Sequence, residues 1–203
     1  MNSSHLNSLG YEFYQDKIRL FLDEHKNVLN ETSLLCKEHI LPIVLKLKNC
    51  INQGGTIYFC GNGGSASDSQ HIAAELIGRY KKDRKPLKAI SLNTDTSVLT
   101  CISNDYSYED VYSRQLQGLL CKRDLLFALT TSGNSKNIIS ALKTARAKSS
   151  FSICLTGNDG GEAIKYADKA LVIPSSSTAR IQEMHITIGH IIVELLEMEL
   201  GID

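Results

Sequence analysis

Five short apolar runs, separated by stretches with a helical period, most constrain how this chain can fold. The runs occupy residues 56–60, 88–92, 125–129, 151–155 and 170–173. Such runs suit strands buried on both faces, because a strand with one wet face alternates apolar with polar side chains. Strands that alternate with helices predict an α/β fold, a three-layer sandwich in which helices flank a five-stranded parallel sheet.

The stretches between the runs are amphipathic and predict helices. They lie at about residues 67–79, 110–120, 135–148 and 161–167, and a closing helix is expected at about 179–200. Residues 11–52 also follow a helical period, and Pro42 is expected in the first turn of a second helix there. A chain of 203 residues can bury one good core, so residues 1–203 are predicted to form one domain with residues 1–52 as a helical extension.

Charge, cysteine content and hydropathy exclude several classes of protein. Lys plus Arg equals Asp plus Glu, 22 against 22, so no global basic field attracts nucleic acid or a membrane surface. The six cysteines include no Cys-x-x-Cys pair, which predicts reduced thiols in the cytoplasm. No stretch approaches the roughly 20 apolar residues of a membrane span.

A glycine-rich segment, residues 61–67, follows the first predicted strand and precedes a helix. Exposed backbone N–H groups and the helix dipole can hold an anion or a hydroxylated ligand there. Gly61, Gly63 and Ala66 also fit a dinucleotide-binding fingerprint, with Asp83 at the distance of a ribose-binding acid. Against that alternative, about 50 helical residues precede the loop and Asp83 lies in a basic segment, not at a strand end.

A second loop, residues 130–136, follows the third predicted strand and carries four hydroxyl groups around Gly133. Hydroxyl and backbone N–H donors can hold a phosphate monoester with little net charge. The alternative is that Ser135 simply caps the next helix. Four hydroxyls in six residues favour a phosphorylated small molecule.

Two pairs of polar residues lie on the helices that would flank these loops. His71 and Glu75 are four residues apart and share one helix face, while Gln182 and His190 share a broad face of the last helix. Neither pair need be functional: His71 and Glu75 could form a simple surface hydrogen bond, and His190 could be a buried core histidine. Their nitrogen and oxygen atoms are nevertheless of the kind that Zn²⁺ accepts.

Four segments together resemble the phosphoheptose isomerases of the sugar-isomerase (SIS) fold. They are residues 61–71, 131–135, 155–161 and 180–186. The resemblance implies conversion of sedoheptulose 7-phosphate into D-glycero-D-manno-heptose 7-phosphate, which feeds heptose biosynthesis for lipopolysaccharide or capsule. It also implies a homotetramer with active sites at subunit interfaces, where the N-terminal helices would pack, and one zinc ion per subunit site.

The resemblance also assigns roles to individual residues. Aldose–ketose interconversion needs a base and an acid, and we predict that Glu75 moves the carbon-bound proton and His190 the oxygen-bound proton. The implied metal ligands are His71, Glu75, Gln182 and His190. The implied substrate-binding residues are Asn62, Gly63, Gly64, Ser65, Glu75, Arg79, Asn104, Asp105, Thr130, Thr131, Ser132, Ser135 and Gln182. Some family members carry an acidic residue where this chain has Ala179.

Two other functions remain open on the same fold. A non-catalytic binding module of the replication-initiator-associating type resembles these enzymes in its glycine loop but replaces the carboxylate and the last-helix histidine. A phosphosugar-sensing regulator would need the phosphate loop but neither Glu75 nor His190. The presence of Glu75, Ser132 and His190 favours the enzyme.

Overall fold

The computed structural model describes residues 3–202, and a five-stranded parallel sheet organises them. The strand order is β2-β1-β3-β4-β5, and all neighbouring strands are parallel. The strands are β1 Ile57–Gly61, β2 Ala89–Ser91, β3 Leu125–Leu129, β4 Phe151–Thr156 and β5 Lys169–Val172. The predicted fold and all five predicted strands are therefore confirmed, each strand within one or two residues.

Helices cover both faces of this sheet. They are α1 Ser3–Asn52, α2 Gly64–Ile77, α3 Thr96–Asp105, α4 Ser113–Leu119, α5 Lys136–Ala147 and α6 Thr178–Glu199, with 3₁₀ turns at Tyr108–Asp110 and Glu162–Lys165. Alternate residues of β1 enter different cores: Phe59 packs in the core that also holds α1, α2 and α6 side chains, and Tyr58 in the core of α3, α4 and α5. This alternation explains the continuous apolar runs of the central strands β1 and β3, whose residues are buried on both faces of the sheet.

The N-terminal region forms one long helix, so the prediction of a second helix beginning near Pro42 was wrong. Proline has no N–H and leaves the carbonyl four residues earlier without its helical donor. Around Pro42, however, Ile40, Ile43 and Val44 are buried against the rest of the protein. Their burial fixes the path of the helix and offsets the missing hydrogen bond.

The region between β2 and β3 differs most from the prediction. Helix α3 was not predicted, although Asp95 caps it by accepting a hydrogen bond from the Val98 backbone N–H at 2.9 Å. The helix predicted at 110–120 is divided into a 3₁₀ turn and α4, and the one predicted at 161–167 is a single 3₁₀ turn. Helix α3 buries only Ile102, so its apolar period is too weak to detect in the sequence.

All six cysteines are free thiols, as predicted. Among residues 3–202, no helix is both long and apolar enough to cross a bilayer.

A buried histidine makes stability depend on pH. His185 of α6 is fully buried, and its Nε2 lies 3.3 Å from the carbonyl oxygen of Thr156. Burial lowers the pKa of its imidazole from 6.5 to about 4, although the Thr156 carbonyl acts in the opposite direction. Because the folded-state pKa is the lower one, the unfolded chain binds more protons between these values. The resulting stability is present above about pH 6.5 and is lost as the pH falls towards 4.

We therefore expect the free energy of unfolding to fall by about 3 kcal/mol through this one group between pH 6.5 and 4. His185→Leu removes the titrating group while keeping an apolar side chain in the core. The Thr156 carbonyl keeps its bond from the Ile173 backbone N–H. Urea unfolding at several pH values should show a shallower acid loss in the variant, and equal losses in both proteins would contradict this account.

Candidate functional site

The glycine loop joins β1 to α2 in a tight turn. A Cβ on Gly61 would lie 2.4 Å from the Ser65 carbonyl oxygen, so only glycine fits at this position. Gly63 caps α2 with a φ of 57°, a backbone conformation that residues other than glycine rarely adopt. The structure thus brings Asn62, Gly63, Gly64 and Ser65 together at the N-terminus of α2, with Ser65 buried.

The side chain of Asn62 is fixed by hydrogen bonds to three other side chains. Its side-chain amide exchanges two hydrogen bonds with that of Asn137 on α5, at 2.9 and 2.8 Å. Its Oδ1 also accepts from the hydroxyls of Tyr108 and Tyr112. Burial raises the pKa of the Tyr112 phenol, so it remains a donor. The Asn62 side chain therefore ties the glycine loop to the helix that follows the hydroxyl loop.

The hydroxyl loop, residues 130–135, runs from β3 to α5. Ser135 makes no side-chain capping bond to α5, so the simple capping alternative is not realised. The Thr130 hydroxyl is buried and has no hydrogen-bond partner, while Ser132 is exposed and accepts from the Asn134 backbone N–H. The loop thus keeps free hydroxyl groups at the carboxyl edge of the sheet.

A cavity of about 790 Å³ opens beside this loop. The β4 loop and the β5–α6 loop complete its wall, with Ser132, Asn134, Asn158, Asp159, Ser175 and Ser176 among the lining residues. Of these, only Ser132 was predicted as a site residue. The sequence did contain a signal, because both additional loops follow predicted strands and are rich in Asn, Asp and Ser.

Three predicted residues form a compact cluster, which we call the α2–α6 cluster: His71, Glu75 and His190. The Oε1 atom of Glu75 lies 3.3 Å from the Nε2 atoms of both histidines, and those two nitrogens are 3.5 Å apart. The Glu75 side chain is 14% exposed, and its Oε2 is buried with no hydrogen-bond partner. The helices approach closely here, because a Cβ on Gly189 would meet the Ile72 side chain at 2.6 Å.

The α2–α6 cluster has the donor set and spacing of a metal site. All its candidate ligand atoms lie within 4.8 Å of one another. The ligand atoms of a tetrahedral zinc ion, with bonds of about 2.0–2.1 Å, stand about 3.3–3.4 Å apart. The cluster distances match that spacing, and the unpartnered Glu75 oxygen leaves further bonding capacity, so the residues fit a divalent metal.

Gln182 lies apart from the α2–α6 cluster. It lies eight residues before His190 on α6, about 12 Å along the helix axis. A Cβ on Gly64 would meet its side-chain amide atoms at 2.6–2.8 Å, so that amide packs against the first turn of α2. Gln182 therefore lies beside the glycine loop, and its role as a metal ligand stays a prediction.

The remaining predicted residues lie at the margins. Arg79 is exposed just after α2. Asn104 and Asp105 end α3, where the Asn104 Nδ2 donates to Asp105 Oδ1 at 2.8 Å, and both are exposed. Asp83, the candidate ribose-binding acid, is exposed and does not end a strand, which removes the support for a dinucleotide site.

Asp68 is a further acidic residue near the cluster that the sequence analysis did not select. It lies one turn before His71 on α2, and its Oδ2 is buried without a hydrogen-bond partner. Burial raises the pKa of its carboxyl, while the nearby His71 opposes that shift. An acid three residues before a candidate ligand histidine was the signal available in the sequence.

Comparison with known proteins matches both the sequence and the fold to one family. The SIS domain family matches residues 20–157. A phosphoheptose isomerase of Akkermansia muciniphila is 51% identical over 150 residues, 74% of this chain and 79% of the relative. One from Helicobacter pylori strain P12 is 48% identical over 85% of this chain and 90% of the relative. The solved phosphoheptose isomerase of Neisseria gonorrhoeae superposes with a TM-score of 0.87 at 37% identity, covering 91% of this chain and 99% of that one.

Proposed function

The chain belongs to the phosphoheptose isomerases, a family of SIS-domain enzymes, and we propose that it converts sedoheptulose 7-phosphate into D-glycero-D-manno-heptose 7-phosphate. The observation that carries this proposal is the α2–α6 cluster of His71, Glu75 and His190. Membership of the family suggests a seven-carbon sugar phosphate as the substrate, and the cluster contains the acidic and basic groups that proton transfer needs. The product would enter heptose biosynthesis for lipopolysaccharide or capsule.

The reaction moves a proton between C1 and C2 through a cis-enediol, so it needs a base for the carbon-bound proton and a group that serves the oxygens. Glu75 is the proposed base. Its Oε1 faces two histidine nitrogens, whereas its Oε2 is buried without a partner, so the carboxylate would turn to present an oxygen to the substrate carbon. His190 would carry the oxygen-bound proton, since its Nε2 lies within reach of the same carboxylate.

The phosphate would bind in the hydroxyl loop. Thr130, Thr131, Ser132 and Ser135 supply hydroxyl groups, and the start of α5 supplies backbone N–H groups with a favourable dipole. The glycine loop, with Asn62, Gly63, Gly64 and Ser65, would receive the sugar hydroxyls. Arg79, Asn104, Asp105 and Gln182 remain proposed as further substrate contacts.

The metal would be Zn²⁺, held by His71, Glu75 and His190. Gln182 is the proposed fourth ligand, and its side chain would have to leave its place beside Gly64 to reach the ion. A bound zinc ion would act as a Lewis acid and stabilise the oxygen on which negative charge develops. The chemistry of the donor set supports zinc, because imidazole and carboxylate are ligands that it accepts.

We further propose that residues 1–203 form one domain that assembles as a cytoplasmic homotetramer with active sites at subunit interfaces. The exposed apolar side chains of α1 support the assembly, because groups of exposed large apolar side chains mark interaction sites. They include Tyr11, Phe13, Tyr14, Ile18, Phe21 and Leu22. An apolar groove of about 280 Å³ between α1 and α6 adds to this surface. The six free thiols support the cytoplasmic location.

The direct test is incubation with sedoheptulose 7-phosphate, followed by NMR detection of an aldoheptose phosphate. We expect turnover by the zinc-loaded protein, removal of activity by a chelator, and recovery with added Zn²⁺. Binding of the sugar phosphate without turnover, with zinc present, would instead support a sensing regulator. Absence of both binding and turnover would support the non-catalytic binding module.

A further inference from the structure

The segment that joins α2 to β2 runs along one face of α6. The Tyr80 ring stacks on the His190 ring, with centroids 5.8 Å apart and planes inclined by 20°. Further along the segment, Arg84 Nε lies 2.7 Å from Glu197 Oε1. Glu197 lies seven residues after His190, two helical turns on, so the two contacts fall on the same face of α6.

Arg84 also binds the C-terminal end of α2. Its Nη2 donates to the backbone carbonyl of Glu75 and its Nη1 to that of Leu76, both at 2.8 Å. These carbonyls are among the last four of α2, which have no donor within their own helix. A cation at this end is also favoured by the helix dipole. One guanidinium therefore joins the backbone of Glu75 to a carboxylate on α6.

The contact between Arg84 and Glu197 is well enclosed. The two side chains are only 4% and 5% exposed. A planar guanidinium with three donors engaged has little freedom to rotate, whereas a lysine could not make the same three bonds. The pair can thus act as a rigid connection between the two helices.

The α2–α6 cluster depends on the relative position of these helices. His71 and Glu75 come from α2 and His190 from α6, and their candidate ligand atoms stand 3.3–3.5 Å apart. A small slide of one helix along the other would separate them. We infer that Arg84 and Glu197 are positioning residues that fix α2 against α6 and thereby preorganise His71, Glu75 and His190; this role rests on the proposed function of that cluster.

The matched control is another ion pair on α6. Lys48 Nζ lies 2.9 Å from Glu199 Oε2 and joins α6 to α1. It makes no hydrogen bond to α2, and its side chains are about one third exposed, at 34% and 37%. If any ion pair on α6 sufficed, Lys48→Met would have the same effect as a change at Arg84.

The test compares wild type, Arg84→Met/Glu197→Leu, Arg84→Lys and Lys48→Met. Replacing a buried ion pair by apolar residues of similar size often leaves stability unchanged. Removing only one partner is strongly destabilising, because it leaves a buried charge unpaired. The double variant should therefore fold, with a melting temperature lowered by only a few degrees because the Glu75 carbonyl loses its Arg84 donor. We expect its zinc affinity, measured by competition with a chromophoric chelator, to fall by about 10- to 100-fold.

In the zinc-loaded double variant, kcat should fall by about tenfold or more while KM stays within about threefold, because the hydroxyl loop is unchanged. Arg84→Lys, which keeps the charge but loses the three-bond geometry, should show the same direction of change. Lys48→Met should match the wild type in both measurements. If the double variant does not fold, Arg84→Lys decides the question.

A folded variant with wild-type zinc affinity and wild-type kcat would overturn the positioning role. A wild-type chain that binds zinc but does not turn over sedoheptulose 7-phosphate would overturn the proposed substrate alone. In that case the loss of zinc affinity in the Arg84 variants, with none in Lys48→Met, would still support the positioning role.

Discussion

Glu75→Gln is expected to abolish exchange of the substrate C1 and C2 protons with solvent and to lower kcat by about 10²- to 10⁴-fold. The amide has nearly the same shape as the carboxylate but cannot take up a carbon-bound proton. Its remaining oxygen can still face the histidines, and the phosphate would bind in a separate loop. Binding of the sugar phosphate should therefore persist.

The measurement is deuterium incorporation from D₂O into the sugar, followed by NMR, with the melting temperature as a check on folding. Glu199→Gln is the matched control, because it makes the same change from carboxylate to amide in a residue that pairs with Lys48, away from the cluster. It should exchange protons at the wild-type rate. Exchange retained in Glu75→Gln would exclude Glu75 as the base.

Gly133→Ala is expected to lower the free energy of unfolding more than any other substitution proposed for this protein. Gly133 has φ of +67°, and a Cβ there would lie 2.0 Å from the carbonyl oxygen of Gly160. The atoms that this Cβ would meet, in Gly160 and Gly161, all belong to the backbone, so no side chain can move aside to make room. The unfavourable conformation costs about 1–3 kcal/mol and the overlap about as much again, giving a loss of about 2–6 kcal/mol.

Urea unfolding would measure this loss, and the displaced hydroxyl loop should also raise KM for the sugar phosphate. Gly118→Ala is the matched control, since Gly118 lies in α4 and a Cβ there would meet nothing within 4 Å. Alanine in a helix should stabilise the protein by about 1 kcal/mol. Opposite signs for the same chemical change are the expected result, and a loss below about 1 kcal/mol for Gly133→Ala would contradict the packing argument.

The elements predicted well are those with strong local signals. Residues 125–129 form β3 with the predicted bounds, because a strand buried on both faces must be apolar throughout. Pro42 misled the prediction, because its local preference for a helix start was overridden by burial of Ile40, Ile43 and Val44. Helix α3 was missed, because it buries one residue and depends on Asp95 for its start.

In the candidate site, too, the features with local sequence signals were predicted and those that depend on the fold were not. The glycine and hydroxyl loops could be located from the sequence, because parallel strands place ligands at their carboxyl ends and loop chemistry is local. His71 and Glu75 share a helix face by spacing alone. The sequence shows that the loops of Asn158 and Ser175 follow strands, but only the folded protein shows that both loops line one cavity with the hydroxyl loop.

The sequence by itself thus determined the α/β architecture, the two ligand loops and the residue types available for metal and proton chemistry. Only the tertiary structure decided that His190 meets His71 and Glu75, while Gln182 packs against Gly64. The relative position of α2 and α6 is set by contacts between residues over 100 positions apart, such as Arg84 with Glu197 and Ile72 with Gly189. Such contacts depend on the shape of the whole core, and no local period or motif records them.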